Sequence, residues 1–289
     1  GFGVKRIVIL GNSAAGISAA EAVREKDKES KLSIVCAEPF FPYHRHKILS
    51  LLEGKIKERD LFYRDQDFYK NNAIGLFPEK EVVGLNLNKK KLVFKDKDFI
   101  EFDKLIIATG TQVTLPHMKG IQKEGVVAIN GLKDIKFILD TSPIVHTAIV
   151  VGEDKVAEEV ARIMAGKKIE VKYFGNLSPS LEGVEAILDN PIVEILGDSE
   201  VKAVRLSNSK LIGASLVIFS GPREPRLDFL RDTDIKINKG ILVDAHMRTH
   251  VPFVFAVGDV SESIDRQKSL GWESAQNEGK IAGGISGAP

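Results

Sequence analysis

The chain of 289 residues is 43% hydrophobic and 28% charged, so it is long enough for two domains with sizeable cores. Its 41 lysines and arginines nearly balance its 40 aspartates and glutamates, and the net charge of +1 gives no general attraction to nucleic acid or to an acidic membrane. The single cysteine, Cys36, excludes an internal disulfide and a cysteine-rich metal or iron-sulfur site within this chain. No apolar run is long enough to span a membrane and the amino terminus has the pattern of a strand, so we expect a cytoplasmic protein.

The first predicted strand, Arg6–Leu10, is a continuous apolar run of the kind that a parallel strand buried on both faces shows. A turn of the form G-x-S-x-x-G follows it: Gly11, Asn12, Ser13, Ala14, Ala15 and Gly16. Residues Ile17–Arg24 then continue as a predicted helix. Gly11 permits the tight turn, Ser13 is small enough for the backbone to approach a diphosphate, and Gly16 lets helix and strand pack closely. The free amides at the start of the helix favour an anion.

The second predicted strand, Lys31–Cys36, ends two residues before Glu38. An acid at this place in a dinucleotide-binding unit reaches the hydroxyl groups of a ribose. Strand, turn, helix, strand and terminal acid together predict a dinucleotide at the first turn. A tight strand-to-helix turn without a ligand is the alternative.

Two later segments resemble a known flavoprotein signature. Lys104–Gly110 is a predicted buried strand, and Thr249–Val260 is a short strand that ends in a Gly-Asp pair. With the first turn, they resemble the FAD-binding signature of the pyridine nucleotide-disulfide oxidoreductase superfamily over nearly the whole chain. The resemblance implies further FAD-binding positions at Ala108, Thr109, Gly110, Gly258 and Asp259. Asp259 is then expected to hydrogen-bond the ribityl chain of the flavin, whereas a simple turn at the strand end is the alternative.

The segment Phe41–Ser50 narrows the resemblance to the NADH:rubredoxin reductase and nitrite reductase large-subunit branch. In that branch a similar segment lies beside the isoalloxazine and adenosine parts of FAD. Arg45 matches its arginine and is expected to pair with the FAD phosphates or stack on the adenine. Related reductases often carry a lysine at the position of Ser50, and Lys47 is the candidate substitute. Trp272, at the start of the last predicted helix, is expected to cover the flavin ring, with a core position as the alternative.

The redox chemistry implied by the resemblance does not use protein thiols. Disulfide reductases of this superfamily use a cysteine pair or a redox cysteine after the second strand, whereas Cys36 lies inside the second predicted strand. The flavin would carry the chemistry, so no catalytic side chain is expected. His44 and His46 lack a third ligand at suitable spacing, and no metal is expected there.

A second turn of the same general layout follows the predicted strand that ends near residue 151. Gly152 retains the first glycine of a G-x-G-x-x-G core, but Asp154 replaces the second and Ala157 the third. Two negative charges about 5 Å apart at an effective dielectric near 20 repel by roughly 3 kcal/mol, or about two decades in affinity. The Asp154 carboxylate is also expected to cap the amides of Val156 and Ala157, where a phosphate would bind. Glu159 matches the family glutamate near the nicotinamide, so Gly152 and Glu159 are the candidate NAD(P)H contacts.

The predicted fold class is α/β, with two Rossmann-like three-layer domains. Residues 1–112 and 241–289 form a discontinuous FAD-binding domain that carries a small β-meander between Ala73 and Phe102. Residues 113–240 form an NAD(P)-binding-like domain with a degenerate glycine motif. The carboxy-terminal interface domain of the family is expected to be absent.

These features predict an FAD-dependent oxidoreductase that passes electrons from a reduced donor through FAD to a small electron-transfer protein or another acceptor. NAD(P)H stays open as the donor, although the second turn disfavours it. The alternative is an FAD-binding electron-transfer or regulatory module of a complex, without NAD(P)H activity of its own. A third hypothesis is a Rossmann-type scaffold that binds neither nucleotide.

Overall fold

The computed structural model describes residues 3–177, 180–265, 267 and 270–288. The α-helices are α1 (Ala14–Lys26), α2 (Ile48–Glu53), α3 (Gln66–Asn71), α4 (Leu132–Thr141), α5 (Lys155–Gly166) and α6 (Trp272–Ser286). The strands are β1 (Arg6–Leu10), β2 (Lys31–Val35), β3 (Ile74–Phe77), β4 (Val82–Asn86), β5 (Lys91–Phe94), β6 (Phe99–Glu101), β7 (Lys104–Ile107), β8 (Thr111–Val113), β9 (Val126–Ala128), β10 (Thr147–Val151), β11 (Glu170–Phe174), β12 (Val184–Ile187), β13 (Ile192–Leu196), β14 (Ala203–Leu206), β15 (Leu211–Gly213), β16 (Leu216–Phe219), β17 (Arg223–Pro225), β18 (Ile241–Val243), β19 (Val254–Ala256) and β20 (Ser261–Ser263).

The chain forms two compact units. The first comprises Gly1–His44, Phe62–Thr111 and Glu224–Pro289, and the second comprises Arg45–Leu61 and Gln112–Arg223. These limits differ from the predicted domains, because residues 45–61 and residue 112 belong to the second unit and residues 224–240 to the first. Helix α2, within residues 45–61, packs on α4 and α5, which explains its place in the second unit. The terminal residues 1, 2 and 289 lie outside the described part of the chain.

The first unit is built on a parallel sheet with the strand order β19-β7-β1-β2-β3. In β1, residues Ile7 to Leu10 are all buried, as its continuous apolar run predicts. Ile7 pairs with Leu32 of β2 on one side and with Lys104 of β7 on the other. Because the strands are parallel, the carboxyl ends of β1, β7 and β19 lie at the same edge of the sheet.

The β-meander of the first unit is smaller than predicted. Strands β4, β5 and β6 form an antiparallel sheet, as expected for residues 82–101. The inclusion of β3 was wrong, because Ile74 pairs in parallel with Leu32 of β2. The strand is four residues long, and so short an apolar segment has the same pattern at the edge of a parallel sheet as in a meander.

Helices α1 and α6 approach each other closely through small residues. A Cβ atom at Gly279 would lie 2.3 Å from the carbonyl oxygen of Ala15, and one at Gly283 would lie 2.2 Å from that of Ala19. Only glycine fits at either position, so α6 is held against the helix that begins in the first turn.

The second unit has its own parallel sheet, with the strand order β12-β11-β10-β16-β9. Helix α5 connects β10 to β11 and buries Ala157, Val160 and Ala161. An antiparallel sheet of β13, β14 and β15 follows β12. The prediction of an α/β fold with parallel sheets is confirmed. Within the residues described, no helix is both long and apolar enough to cross a membrane.

Candidate functional site

The first turn lies at the carboxyl edge of the first sheet. Gly11 has a φ of +124°, and a Cβ atom there would lie 2.1 Å from the carbonyl oxygen of Ala108, at the end of β7. A Cβ atom at Gly16 would lie 2.1 Å from the carbonyl oxygen of Gly11. The turn is therefore closed tightly over the strand ends, and both glycines are required by this packing.

The amino terminus of α1 has no capping carboxylate of its own. Ser13 occupies the N-cap position in an extended conformation, but its side chain makes no capping hydrogen bond. The first turn of the helix contains no acidic residue. The leading amides of this helix of 13 residues consequently carry the positive end of the helix dipole with no acidic residue in the helix's own first turn.

Two tyrosine hydroxyls orient polar side chains beside this turn. Tyr69 donates to Oδ1 of Asn12 at 2.5 Å, and Tyr43 donates to Oε2 of Glu38 at 2.6 Å. Both rings are almost fully buried, with 4% and 3% exposure. Burial raises the pKa of Tyr69 well above its ordinary value, so its hydroxyl stays protonated as a donor. Glu38 itself is half-buried at the end of the second strand.

Thr109, which follows β7, has a buried hydroxyl oxygen without a partner. Its Oγ1 atom makes no hydrogen bond to any residue that the structure describes. A buried unpaired hydroxyl costs about 1–3 kcal/mol, so such an atom marks a place where a further polar group fits. Gly110 beside it has a φ of +67°, and nothing lies within 4 Å of the position of a Cβ atom. The strand end thus offers polar groups and open space.

The backbone of the Gly-Asp pair, Gly258 and Asp259, is hydrogen-bonded to a buried carboxylate that was not predicted as a site residue. Glu278 of α6 is 7% exposed and accepts hydrogen bonds from the Gly258 amide and the Ser261 hydroxyl, both at 3.1 Å. Gly258 has a φ of +76°, which turns the chain into Asp259. Asp259 Oδ1 lies 3.5 Å from the Gly271 amide at the start of α6. Glu278 therefore fixes the backbone on which Asp259 stands.

Trp272 packs in a cluster of three aromatic rings. Its ring centroid lies 5.1 Å from that of His44 and 5.2 Å from that of Tyr63. The His44 and Tyr63 rings are themselves 4.8 Å apart. Trp272 is half-buried.

The other two predicted flavin contacts belong to the second compact unit. Arg45 and Lys47 form a short 3-10 helix before α2. The guanidinium of Arg45 donates to the carbonyl oxygen of Asn130 at 3.3 Å, and Lys47 is exposed. Their contact with FAD stays a prediction.

The second turn differs from the first in its helix cap. Asp154 occupies the N-cap position of α5, and its Oδ1 atom accepts a hydrogen bond of 2.9 Å from the Ala157 amide. This confirms the expected cap on Ala157. The Cβ position of Gly152 lies 2.6 Å from the Cβ atom of Ala157, so the glycine is required there. The carboxylate occupies the place at which a helix amino terminus would bind phosphate.

Glu159 is held in an ion-pair network. Arg162, one turn along α5, pairs with both Glu159 and Glu53 of α2. The hydrogen bond from Arg162 lowers the pKa of Glu159 below its ordinary value, so this carboxylate stays charged. Both side chains of this pair are more than 40% exposed, so the ion pair contributes at most about 1 kcal/mol and only mildly opposes a contact between Glu159 and a nicotinamide.

The surroundings of the second turn are apolar and negative. Burial and, less strongly, the nearby carboxylates of Glu158, Asp154 and Glu153 together raise the pKa of Tyr173 to about 12. The Tyr173 hydroxyl has no hydrogen-bond partner among the described side chains and backbone groups. Three carboxylates at one turn oppose a dinucleotide phosphate, so the residues present do not fit NAD(P)H at this place.

Neither a metal cluster nor a thiol pair occurs in the described part of the chain. No group of three or more His, Cys, Asp and Glu residues there could hold a metal ion. The prediction that Cys36 lies inside the second strand was wrong by one residue, because β2 ends at Val35. Cys36 is nevertheless buried at 6% exposure, as expected for a small apolar residue.

Among the functional residues, Glu278 could have been found from the helical pattern. The buried positions of α6 are Glu278, Gly279, Ala282, Gly283 and Ser286. An acid on the buried face of a helix needs hydrogen-bond partners, and that requirement is a signal for a structural carboxylate. The aromatic cluster of His44, Tyr63 and Trp272 joins distant segments and leaves no such local signal.

Comparison with known proteins gives a family match over nearly the whole chain. Residues 5–279 match the family described as pyridine nucleotide-disulphide oxidoreductase. The chain is 29% identical over 282 residues to the nitrite reductase (NAD(P)H) of Bacillus subtilis, a match that covers 90% of this chain and 35% of that protein. It is 26% identical over 290 residues to the NADH-rubredoxin oxidoreductase of Clostridium acetobutylicum, covering 96% of this chain and 73% of that protein.

Solved structures share the fold. The ferredoxin reductase of Rhodopseudomonas palustris superposes with a TM-score of 0.86 at 19% identity, covering 99% of this chain and 76% of that one. The sequence match and the two parallel sheets agree, and the chain belongs to the pyridine nucleotide-disulphide oxidoreductase family, whose members are FAD-dependent oxidoreductases.

Proposed function

We propose that the chain binds FAD at the first turn and passes electrons from a reduced donor through FAD to a small protein or another acceptor. The observation that carries this proposal is the uncapped amino terminus of α1, held at the edge where β1, β7 and β19 end. The unpartnered Thr109 hydroxyl at the same edge supports it. An open helix terminus with free amides binds a pyrophosphate, and in open parallel sheets ligands bind at this edge.

Each residue of the site has a separate proposed role. The amides of the first turn would hold the pyrophosphate, and Glu38, oriented by Tyr43, would accept hydrogen bonds from ribose hydroxyls. Asp259, whose backbone is fixed by Glu278, would accept hydrogen bonds from the hydroxyl groups of the ribityl chain. Trp272 would cover part of the ring. The proposed FAD contacts are Gly11, Asn12, Ser13, Ala14, Ala15, Gly16, Glu38, Arg45, Lys47, Ala108, Thr109, Gly110, Gly258, Asp259 and Trp272.

The chain's own part in the reaction is to bind and orient. FAD, when bound, supplies chemistry that accepts a hydride or passes electrons singly. The protein holds the cofactor at the sheet edge and positions polar groups around it. Cys36 is buried, so a protein thiol is not proposed in the electron path. One buried cysteine also fits a reducing compartment such as the cytoplasm, which we propose as the location.

NAD(P)H is disfavoured as the donor at the second turn. The Asp154 cap, with Glu153 and Glu158 beside it, opposes a dinucleotide phosphate, and Glu159 is paired with Arg162. This observation favours a second candidate function, an electron-transfer or regulatory module of a complex without NAD(P)H activity of its own. The name of the Bacillus subtilis relative, nitrite reductase (NAD(P)H), argues against this second candidate function.

The acceptor proposed is a small electron-transfer protein or a small molecule. The NADH-rubredoxin oxidoreductase of Clostridium acetobutylicum supports a protein acceptor by its name. The chain spans 35% of the nitrite reductase of Bacillus subtilis, so the activity of that whole protein is not carried over.

A reconstitution experiment tests the proposal. Purified protein is incubated with excess FAD, freed of unbound cofactor and extracted for chromatography. We expect about one FAD per chain in the parent and little in a variant with a Gly11→Ala change. A folded, colourless protein that takes up no FAD would overturn the proposal and leave the scaffold hypothesis.

A further inference from the structure

A cavity of about 290 Å³ opens on the first unit beside α1 and α6. Its volume lies just below the range for sites of drug-sized molecules, about 300–1,000 Å³, and so suits a small ligand. Its lining combines aromatic, charged and small residues: Ala14, Ile17, Ser18, Glu21, His44, Tyr63, Arg64, Trp272, Gln276 and Lys280. Among these, only Ala14 and Trp272 belong to the proposed FAD site.

One wall of the cavity is aromatic. His44, Tyr63 and Trp272 pack with ring centroids 4.8–5.2 Å apart. All three residues are half-buried and line the cavity. Aromatic faces of this kind stack with a planar ligand at an energy beyond that of simple burial.

The charges in the cavity do not balance. Glu21 and Arg64 form an ion pair of 2.8 Å, and the Arg64 guanidinium lies 5.3 Å from the centroid of the Tyr63 ring. Lys280 is exposed and makes no ion pair or hydrogen bond with any residue in the described ranges. One uncompensated positive charge therefore remains beside the aromatic wall and attracts an anion.

We propose that this cavity binds a small planar aromatic carboxylate. The ring of the ligand stacks on the wall of His44, Tyr63 and Trp272, and its carboxylate pairs with Lys280. Gln276 and Ser18, which also line the cavity, supply hydrogen-bond donors. The cavity shares Ala14 and Trp272 with the proposed FAD site, whereas Lys280, Tyr63 and His44 lie outside the proposed FAD contacts.

Binding of 2-naphthoate to the flavin-saturated protein tests the proposal. Calorimetry measures the affinity, and fluorescence reports the site directly because the chain has one tryptophan, Trp272. The neutral analogue 2-naphthalenemethanol has the same ring system without the charge. We expect saturable binding of 2-naphthoate that is about fivefold tighter than that of the alcohol, with a change in tryptophan emission.

Two variants separate charge from stacking. Lys280→Gln is expected to weaken the binding of 2-naphthoate about fivefold and to leave the affinity for the alcohol unchanged. Tyr63→Leu is expected to weaken the binding of both probes about fivefold. Lys28→Gln, at an exposed lysine away from the cavity, is the matched control and leaves both affinities unchanged.

Three results would overturn the proposal. The first is the absence of saturable 2-naphthoate binding, and the second is an affinity that Lys280→Gln does not alter. The third is binding that occurs in flavin-free protein and disappears on saturation with FAD, which would assign the cavity to the cofactor. Whether the protein takes up FAD is read from its absorbance in the same samples, so a failure of the cofactor proposal is recognised separately.

Discussion

The Oδ1 atom of Asp154 accepts a hydrogen bond of 2.9 Å from the backbone amide of Ala157. The corresponding position of the first turn is Ser13, whose side chain makes no capping bond to α1. Two strand-turn-helix units of similar layout thus have opposite electrostatics at the helix terminus. The first leaves its amides open to an anion, and the second fills the same place with its own carboxylate.

Removal of the Asp154 carboxylate is predicted to improve NAD(P)H binding. In Asp154→Gly the repulsion of roughly 3 kcal/mol is lost, so the affinity for NADH rises by up to about 100-fold. Asp154→Asn keeps a capping oxygen but removes the charge, and we expect a smaller gain. The free energy of unfolding changes by only a few tenths of a kcal/mol in either variant. Anaerobic reduction of the flavin by increasing NADH concentrations measures the affinity.

The matched control for this series is Asp65→Gly. Asp65 caps α3 in the first unit by accepting from the Asp67 amide at 3.0 Å. Loss of a helix cap there is expected to leave the response to NADH unchanged. An equal gain in Asp65→Gly would show that the effect of Asp154→Gly is not electrostatic.

Gly11→Ala is predicted to abolish FAD uptake and to destabilise the first unit. The new methyl group would lie 2.1 Å from the carbonyl oxygen of Ala108 at a φ of +124°. We expect a loss of about 3 kcal/mol or more in the free energy of unfolding, measured by urea denaturation. Gly54→Ala has a comparable φ of +84° with nothing within 4 Å, and should cost only about 1–2 kcal/mol. Equal losses in both variants would show that the contact with Ala108 is unimportant.

Glu278→Ala is predicted to destabilise the protein and to weaken its binding of FAD. The change leaves the Gly258 amide without its carboxylate acceptor, at a cost of about 1–3 kcal/mol, whereas the Ser261 hydroxyl keeps the Gly258 carbonyl oxygen at 2.8 Å. Glu278→Gln keeps an acceptor oxygen and should lose less. Thermal unfolding and FAD content are the measurements. FAD content that is unchanged in Glu278→Ala would contradict the role of Glu278 in positioning Asp259.

The ion pair between Arg6 and Asp103 is predicted to make stability fall in acid. The hydrogen bond from the Arg6 guanidinium, 3.2 Å long, lowers the pKa of Asp103. A lowered folded pKa gives stabilisation that is complete above the unfolded value of about 3.9 and is lost as pH falls through the folded value. Because both side chains are more than a third exposed, the pair is worth at most about 1 kcal/mol.

Urea unfolding between about pH 3 and pH 7 measures this contribution. Asp103→Asn should lose the part of the acid dependence that the pair supplies, with a lower free energy of unfolding at neutral pH. Asp232→Asn, at an exposed aspartate, is the control and should follow the parent. Identical pH profiles for Asp103→Asn and the parent would exclude a role of the pair in acid stability.

Local patterns predicted the strands and turns of the site. The apolar run of β1, the spacing of the first turn and the Asp154 cap all depend on residues close together in the sequence, and the structure confirms each. The stacking of His44 and Tyr63 on Trp272 joins segments about 200 residues apart, and no periodicity encodes such a contact. The position of α2 in the second unit has the same cause, because its packing on α4 and α5 is tertiary.

The proposed division between the two turns is that the first binds FAD and the second disfavours NAD(P)H. It is tested most directly by mixing the flavin-loaded protein, without oxygen, with NADH, NADPH and finally dithionite while the flavin absorbance is recorded. We expect slow or no bleaching of the flavin absorbance by NADH or NADPH and complete bleaching by dithionite. Prompt bleaching by NADH or NADPH would contradict it.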